Sequence, residues 1–563
     1  MYYLALAADY DGTIAKHGLV SDATVQALQA LKQTGRRLVL VTGRELTDLR
    51  HVFPGMTMFD RIVGENGAVI YNPATSEERA LAPPPPPALV HRLIERGVQP
   101  ISVGHAIVAT WQPHDVTALE VIRELGLELH IVFNKGAVMI LPTHVNKAFG
   151  LRMALEELDI SPRNVVAVGD AENDHAFLHA CGCAAAVANA LPALRDTADI
   201  TLQGDHGHGV AELAQMIAER DGGIVPPSRR GILAGKDRAG EPVYLEPESL
   251  VLVAGVSGAG KSCFAKLLTE RMSQGGFEFC VIDPEGDYLG LRNAVTTGSS
   301  TEQPVTEDAL RLLLRANINV AVNVLALAVP QRRTLLAAIF KCVGKLRAQS
   351  GRPHWLIVDE AHQLLPPGEP HLRVAKPEQF AGTILLTVDP TGLAPEVLHR
   401  VDVVLVLGQA APDVIAGLAA RLNVRPPDGR PLPATDEMVW WQPRSRAPLR
   451  VLRRDKPCQA HNRHTGKYAI GDVGEQASFY FRAPNSHLRA GNLSEFLKIA
   501  GSIPESVWMH HLRARDFSAW FRNVIRDDEL ADSAAVVEAD HAIGFIESRA
   551  RIGSAICERY ILA

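Results

Sequence analysis

Residues Leu4–Ala15 read LALAADYDGTIA, and this stretch decides the class of the first fold. A short apolar run near the N-terminus reads as a buried strand, with Asp9 and Asp11 at its carboxyl end, where open α/β sheets place their ligands. Alternate spacing aims both carboxylates the same way. Two negative charges so placed repel unless a cation lies between them, and magnesium suits oxygen ligands of this kind.

Outward from that strand, residues 1–80 alternate apolar runs with the helical pattern DATVQALQALKQTG. That rhythm predicts βαβ units and a parallel sheet. The run Pro83–Pro87 interrupts it, and the rhythm resumes with VNKAFGLRMALEELDI and NVVAVGD, so the segment at about 82–141 reads as an inserted domain with a stiff entry linker. Thr42 ends the run LVLVT, HVNKAFG supplies Lys147, and NVVAVGDAENDHAF supplies Asp170 and Asp174. Phosphoryl transfer asks for such a set: a nucleophile, an acid, a donor to phosphate oxygen, a lysine against developing charge and carboxylates for a metal.

In this order the motifs resemble those of the haloacid dehalogenase superfamily, and within it the Cof-type capped phosphatases. The resemblance covers roughly residues 1–218, including AVANALPALRDTADI and GHGVAEL. It implies Asp9 as a nucleophile that forms an aspartyl-phosphate and Asp11 as the acid and base. Thr42 would bond the transferring phosphate, and Lys147 would clamp it. Magnesium would be held by Asp9, the Asp11 main-chain carbonyl and Asp170, with Asp174 in support and Asn173 near the phosphate. The α/β cap chooses the substrate in such enzymes, and a closing cap implies a small phosphorylated metabolite such as a sugar phosphate. Trp111 and His114 are cap candidates to face it, although a core tryptophan and a surface histidine are the simpler expectation.

A second phosphate motif lies in LVLVAGVSGAGKSCFAKLL. A strand, a GxxxxGKS loop and an amphipathic helix make a P-loop: amides of Gly255, Ser257, Gly258, Ala259 and Gly260 cradle phosphates, Lys261 reaches the outer ones and Ser262 holds magnesium. Further on, HWLIVDEAHQLL ends a strand with Asp359 and Glu360, a second metal contact and a base for the attacking water. The strand FEFCVIDPEGDYLGL then resembles the HerA-like branch of the RecA-type ATPases, over roughly residues 228–453. That resemblance implies ATP as substrate, a homo-oligomer (a hexamer) and, in many relatives, action on DNA. Thr387 is the nearest polar residue where relatives often place a glutamine, and Arg400 or Arg421 would serve as the arginine given across a subunit boundary.

The chain has 563 residues, a formal net charge of −6 and 21% charged residues, which excludes a bulk nucleic-acid or acidic-membrane binder. Its seven cysteines lack paired spacing and fit a reducing cytoplasm. No signal peptide or long apolar stretch is evident, so a soluble, unexported, cytoplasmic protein is expected. From Arg421 to Lys456 nine Lys/Arg face four Asp/Glu around Trp440 and Trp441. A nucleic-acid patch is one reading, and a solvated proline-rich connector or subunit contact is the favoured one. In the tail, Trp508, Phe517, Trp520 and Phe521 have core spacing, and the stretch resembles a helical accessory domain of unknown function. His510 and His511 lack partner ligands for a metal.

The fold class expected is therefore α/β and multidomain: a Rossmann-like phosphatase core with an inserted α/β cap (1–218, cap about 82–141), a linker with a hairpin (219–247), a RecA-like P-loop ATPase domain (248–453) and a small helical C-terminal domain (454–563). The leading function is a magnesium-dependent phosphomonoester hydrolase of a small metabolite coupled to ATP hydrolysis, with no membrane partner. A HerA-like DNA motor with an attached phosphatase is the alternative, and end healing of the polynucleotide kinase/phosphatase kind is third.

Overall fold

The computed structural model describes residues 1–134, 136–291, 293–369, 379–429, 431–445, 447–455, 468–469, 473–474, 477–483, 486–525 and 527–560. They form two compact units, Met1–Gly231 with Lys345–Arg352, and Ile232–Gly344 with Pro353–Ala563.

In the first unit the opening apolar run forms the strand Ala5–Asp9, buried along its whole length. It pairs in parallel with Val165–Gly169 on one side and Arg37–Val41 on the other, in a register that sets Asp9 against Val41. Beyond these lie Cys183–Ala186 and Ile200–Thr201 at one edge, and Arg61–Gly64, Val69–Asn72 and Glu77–Ala80 at the other. Strands buried on both faces need continuous Val, Leu and Ala, and these supply it. The chain then leaves the sheet to build the cap: helices Pro87–Glu95 and Asp115–Glu124 on a four-stranded antiparallel sheet ordered Ser102–Val103, Val108–Trp111, Ala137–Pro142, Leu129–Asn134.

Leu89, Leu93, Val108, Val121 and Ile140 give the cap its own apolar core. Its strand Ala137–Pro142 alternates sides, so Met139 and Leu141 join the main core while Ile140 stays with the cap. Trp111 is 53% exposed, which corrects the expectation of a core residue. It lies at the end of the cap strand Val108–Trp111, whose Val108 points into that core.

The second unit is built on an eleven-stranded sheet. Seven strands are parallel, in the order Val403–Leu407, Leu250–Ala254, Thr383–Thr387, Trp355–Val358, Phe279–Asp283, Asn319–Asn323, Ala294–Thr297. Four antiparallel strands extend it past Val403–Leu407: Glu437–Trp441, Arg450–Arg453, Ile232–Asp237 and Pro242–Leu245. The hairpin expected inside a linker is thus the edge of this sheet, and helix His206–Arg220 carries the first unit past residue 218. Trp440 and Trp441 are buried in a strand, so they are neither stacking platforms nor part of a solvated connector. The stretch 456–467 that follows falls outside the described residues.

Helices Leu493–Ser502, Glu505–Ala514, Asp516–Trp520, Asp528–Ala539 and Phe545–Arg559 complete the chain around an aromatic core. Trp508 and Phe517 ring centroids lie 4.4 Å apart there, and Trp508 Nε1 donates to Ser548. His511, buried beside Phe479, is held by Asp516. Among the described residues no helix is long and apolar enough to cross a membrane.

Candidate functional site

Three strand exits and one helix start converge in the first unit. Asp9 closes the first strand, and Asp170 and Asp174 follow Val165–Gly169. All three carboxylates are buried and can bring one oxygen each within 4.8 Å of the others. Lys147 opens helix Lys147–Glu157, capped by Asn146, whose side chain accepts from Phe149 N at 2.9 Å. Gly67 has φ +106°, and a Cβ on it would fall 2.0 Å from the Asn146 carbonyl oxygen. That missing atom lets the lysine's helix start close to the sheet. Lys147 Nζ donates to Asp9 Oδ1 and Asp174 Oδ1, 2.6 Å each. Asp174 Oδ2 accepts from the amides of Asp170 and Ala171, and Thr13 Oγ1 donates to Asp170 at 3.1 Å.

Burial, with Asp174 and Asp170 beside it, pushes Asp9 up to about 8 in spite of Lys147. Burial opposes the lysine's charge as well, yet the two carboxylates hold its pKa above the usual range. With all three acids ionised, one ammonium leaves two negative charges uncompensated, the charge that a divalent cation balances. The donor set therefore fits magnesium.

Around this centre the structure places Thr42 and Asn173, named from the sequence, and adds Arg44, Asn189, His206 and Glu65, which sequence reasoning left without a role. Thr42 is buried at the exit of Arg37–Val41, where its Oγ1 accepts from Arg44 N at 3.1 Å. Arg44 binds Asp11 through two nitrogens and lies over the Tyr10 ring. Asn189 Nδ2 donates to the Gly12 carbonyl at 2.8 Å, with His206 Nδ1 at 2.9 Å from the same oxygen, so the turn after Asp11 is held from the stretch AVANAL and from the residue just before GHGVAEL. Asn173 contacts Asn66 at 3.1 Å. Glu65, at φ 51°, accepts the amides of His105 and Ala106 and so ties the cap to the platform.

In the second unit the P-loop joins Leu250–Ala254 to helix Lys261–Gln274, and Gly260 caps that helix at φ 91°, a left-handed conformation that glycine adopts without strain. Lys261 Nζ donates to the carbonyls of Gly255 and Val256 at 3.0 and 3.3 Å. Ser262 Oγ lies 3.4 Å from Asp359 Oδ2, which Tyr288 Oη also approaches at 3.1 Å. Burial, reinforced by Asp287 and Glu360, pushes Asp359 up to about 8. Asp283 accepts the amides of Glu285, Gly286, Asp287 and Tyr288, which folds DPEGDY into a compact turn beside it.

The strand Thr383–Thr387 lies between the P-loop strand and Trp355–Val358, as in RecA-like sheets, and brings Thr387 to the site. Thr387 Oγ1 is 3.1 Å from His362 Nδ1, and that nitrogen is 3.3 Å from Glu360 Oε2. Arg400 stacks over Phe380, and Arg421 is exposed on helix Ala411–Leu422.

Comparison with known proteins finds a family match over part of each unit. Residues 6–99 and 117–213 match the family model of haloacid dehalogenase-like hydrolases. A phosphoglycolate phosphatase of Methanothermobacter thermautotrophicus is 32% identical over 218 residues, 37% of this chain and 96% of that protein. The chain belongs to the haloacid dehalogenase-like hydrolases. A second relative of this hydrolase, the phosphoglycolate phosphatase of Halorubrum lacusprofundi, is 30% identical over 37% of this chain and 93% of its own length. A crystal structure of a haloacid dehalogenase-like hydrolase from Bacteroides thetaiotaomicron covers 38% of this chain and 99% of that one at 20% identity, with a TM-score of 0.34. Residues 231–338 match the central domain of helicase HerA. This haloacid dehalogenase-like hydrolase is thus an enzyme of the phosphatase class that also carries a HerA-like ATP-binding domain.

Proposed function

We propose that the first unit hydrolyses a small phosphomonoester through an aspartyl-phosphate on Asp9, with magnesium as cofactor, and that the HerA-like domain hydrolyses ATP in support of that activity. The observation that carries this reading is the bridge of Lys147 between Asp9 and Asp174 beside Asp170. Asp9 attacks phosphorus, and the bond to the leaving alcohol breaks as Asp11 passes it a proton. Asp11 then takes a proton from the water that hydrolyses the aspartyl-phosphate. Thr42 donates its hydroxyl to a phosphate oxygen, and Lys147 offsets the charge that develops.

Asp174 already engages both oxygens with Lys147 and two amides, so Asp9, Asp170 and the Asp11 carbonyl would hold the ion while Asp174 orients the set. When bound, magnesium supplies electrostatic stabilisation of the transferring phosphoryl group. Relatives named for phosphoglycolate support a small acidic ester ahead of a sugar phosphate.

In the second unit, Gly255, Ser257, Gly258, Ala259 and Gly260 would cradle phosphates, with Lys261 on the outer ones. Ser262 and Asp359 would hold magnesium, and Glu360 would activate water. The deciding experiment is magnesium-dependent phosphate release from phosphoglycolate, sugar phosphates and ATP by the wild type, Asp9→Asn and Lys261→Ala. Ester turnover lost only with Asp9, and ATP turnover lost only with Lys261, are expected. An ester activity that survives Asp9→Asn would end the aspartyl-phosphate reading.

The match to the HerA central domain favours one second reading, an oligomeric motor on DNA with the phosphatase attached. It requires ATP hydrolysis that rises when DNA is added, and an unchanged rate removes it.

A further inference from the structure

Resting on the nucleotide reading of the P-loop, we propose that Arg454 is a nucleotide-binding arginine supplied by the same chain, one that exchanges main-chain acceptors for phosphate oxygens when ATP enters the loop.

Arg454 follows the strand Arg450–Arg453, which the antiparallel extension of the sheet brings beside the P-loop. Its amide donates to the Asp436 carbonyl at 2.9 Å, so its backbone is fixed. Its guanidinium reaches into the loop: Nη1 donates to Gly260 O at 3.0 Å, and Nη2 to Ala259 O at 3.2 Å and Thr435 O at 2.9 Å. A Cβ built on Gly260 would stand 2.8 Å from Nη1, so the cation lies against the residue just before Lys261.

The neighbouring arginines have carboxylate partners. Arg453 pairs with Asp436 at 2.9 Å, and Arg271, in the last turn of the P-loop helix, pairs with Asp455. Among the described residues Arg454 hydrogen-bonds main-chain carbonyls alone. A half-buried cation held by neutral oxygens is only weakly compensated: burial lowers its pKa, and Asp436, already paired with Arg453, offsets part of that from a distance. Phosphate provides a counter-charge, and a guanidinium binds phosphate more strongly than it binds a carbonyl. The anion site and this weakly compensated cation are adjacent. Because the Arg454 amide is held by the Asp436 carbonyl and the side chain of the next residue, Asp455, pairs with Arg271, the exchange needs only side-chain rotation.

An arginine in this position need not come from a second subunit, which separates it from Arg400 and Arg421. A purely structural clamp would also hold the two loop carbonyls, and the choice of substitutions separates the roles. Arg454→Gln keeps an amide donor for carbonyls and loses the charge. Arg454→Lys keeps the charge and loses the fork.

The test is titration of the full chain with ATP and magnesium, beside steady-state ATP hydrolysis. Arg454→Gln is expected to weaken ATP binding about tenfold or more, and Arg454→Lys to recover part of the loss, with ester hydrolysis at the Asp9 site unchanged. A glutamine variant that binds ATP within about twofold of wild type, a margin well under tenfold, overturns the proposal. If that variant does not fold, the lysine variant decides: a loss of about threefold to tenfold supports the role, and wild-type affinity overturns it. A wild-type chain that binds no ATP overturns the nucleotide reading together with this one, whereas wild-type binding indifferent to residue 454 overturns this one alone.

Discussion

Arg44 grips both oxygens of Asp11, Nε to Oδ2 at 2.6 Å and Nη2 to Oδ1 at 2.7 Å, and its remaining nitrogen reaches Asp48. A two-point pair sets the orientation of the carboxylate as well as its charge balance. Asp11 is the residue proposed to move the proton, so its aim matters to the rate.

Arg44→Lys offers one charged point where the fork gave two. It should lower kcat/KM for the ester by about 10- to 100-fold, the range of a misplaced acid, without altering the magnesium dependence. Steady-state kinetics across a magnesium series reads both. Wild-type kinetics in the lysine variant would show that the pair only ties down the loop.

Lys147→Met leaves Asp9 and Asp174 buried without their shared cation. Breaking a buried pair in this way costs about 3–5 kcal/mol, so urea denaturation of the metal-free variant should show a much earlier midpoint for the first unit. Magnesium should recover part of that loss, and phosphatase activity should not return. A midpoint equal to wild type would mean that the carboxylates are already neutral.

The pH dependence of metal-free stability follows from Asp9. Its carboxyl titrates near 3.8 when unfolded and is pushed up to about 8 when folded. Between those values the folded state binds the extra proton, so stability is fully present below about pH 4 and is lost as pH rises towards about 8. Denaturation midpoints in EDTA should fall across that window. With magnesium the fall should flatten, because the ion favours the ionised acid. A flat profile in EDTA counts against the high pKa.

Glu360→Gln should leave ATP binding intact and reduce hydrolysis by about 100-fold or more, as removal of a water-positioning base does. Binding and turnover measured on the same preparation separate the two effects. Equal loss of both would instead assign Glu360 to the cradle.

Much of the chemistry was legible because it is written in local order. Strand ends name Asp9, Thr42 and Asp170, and the GxxxxGKS pattern names Lys261 and Ser262 without any knowledge of what lies across the sheet. What stayed hidden depends on partners far along the chain. Arg44 stands two residues after Thr42, but its pairing with Asp11 is a fact of two loops meeting. Asn189 and His206 act on the Gly12 carbonyl from the other end of the domain, and Arg454 meets Gly260 across 194 positions.

Composition also misled. Proline and arginine around Trp440 read as a connector, while the short strands Glu437–Trp441 and Arg450–Arg453 extend the sheet there. Trp111 carried a strong prior for burial, but it ends an edge-proximal strand of a thin cap with one apolar face.

The cap's private core has a consequence for how such an enzyme changes over generations. Leu89, Val121 and Ile140 pack with one another, and Met139 and Leu141 are the residues of the same strand that belong to the platform. A lineage can therefore redraw the lid through substitutions at the first group and keep the hydrolytic centre intact. Alternation along a single strand divides the residues free to diverge from those bound to the chemistry.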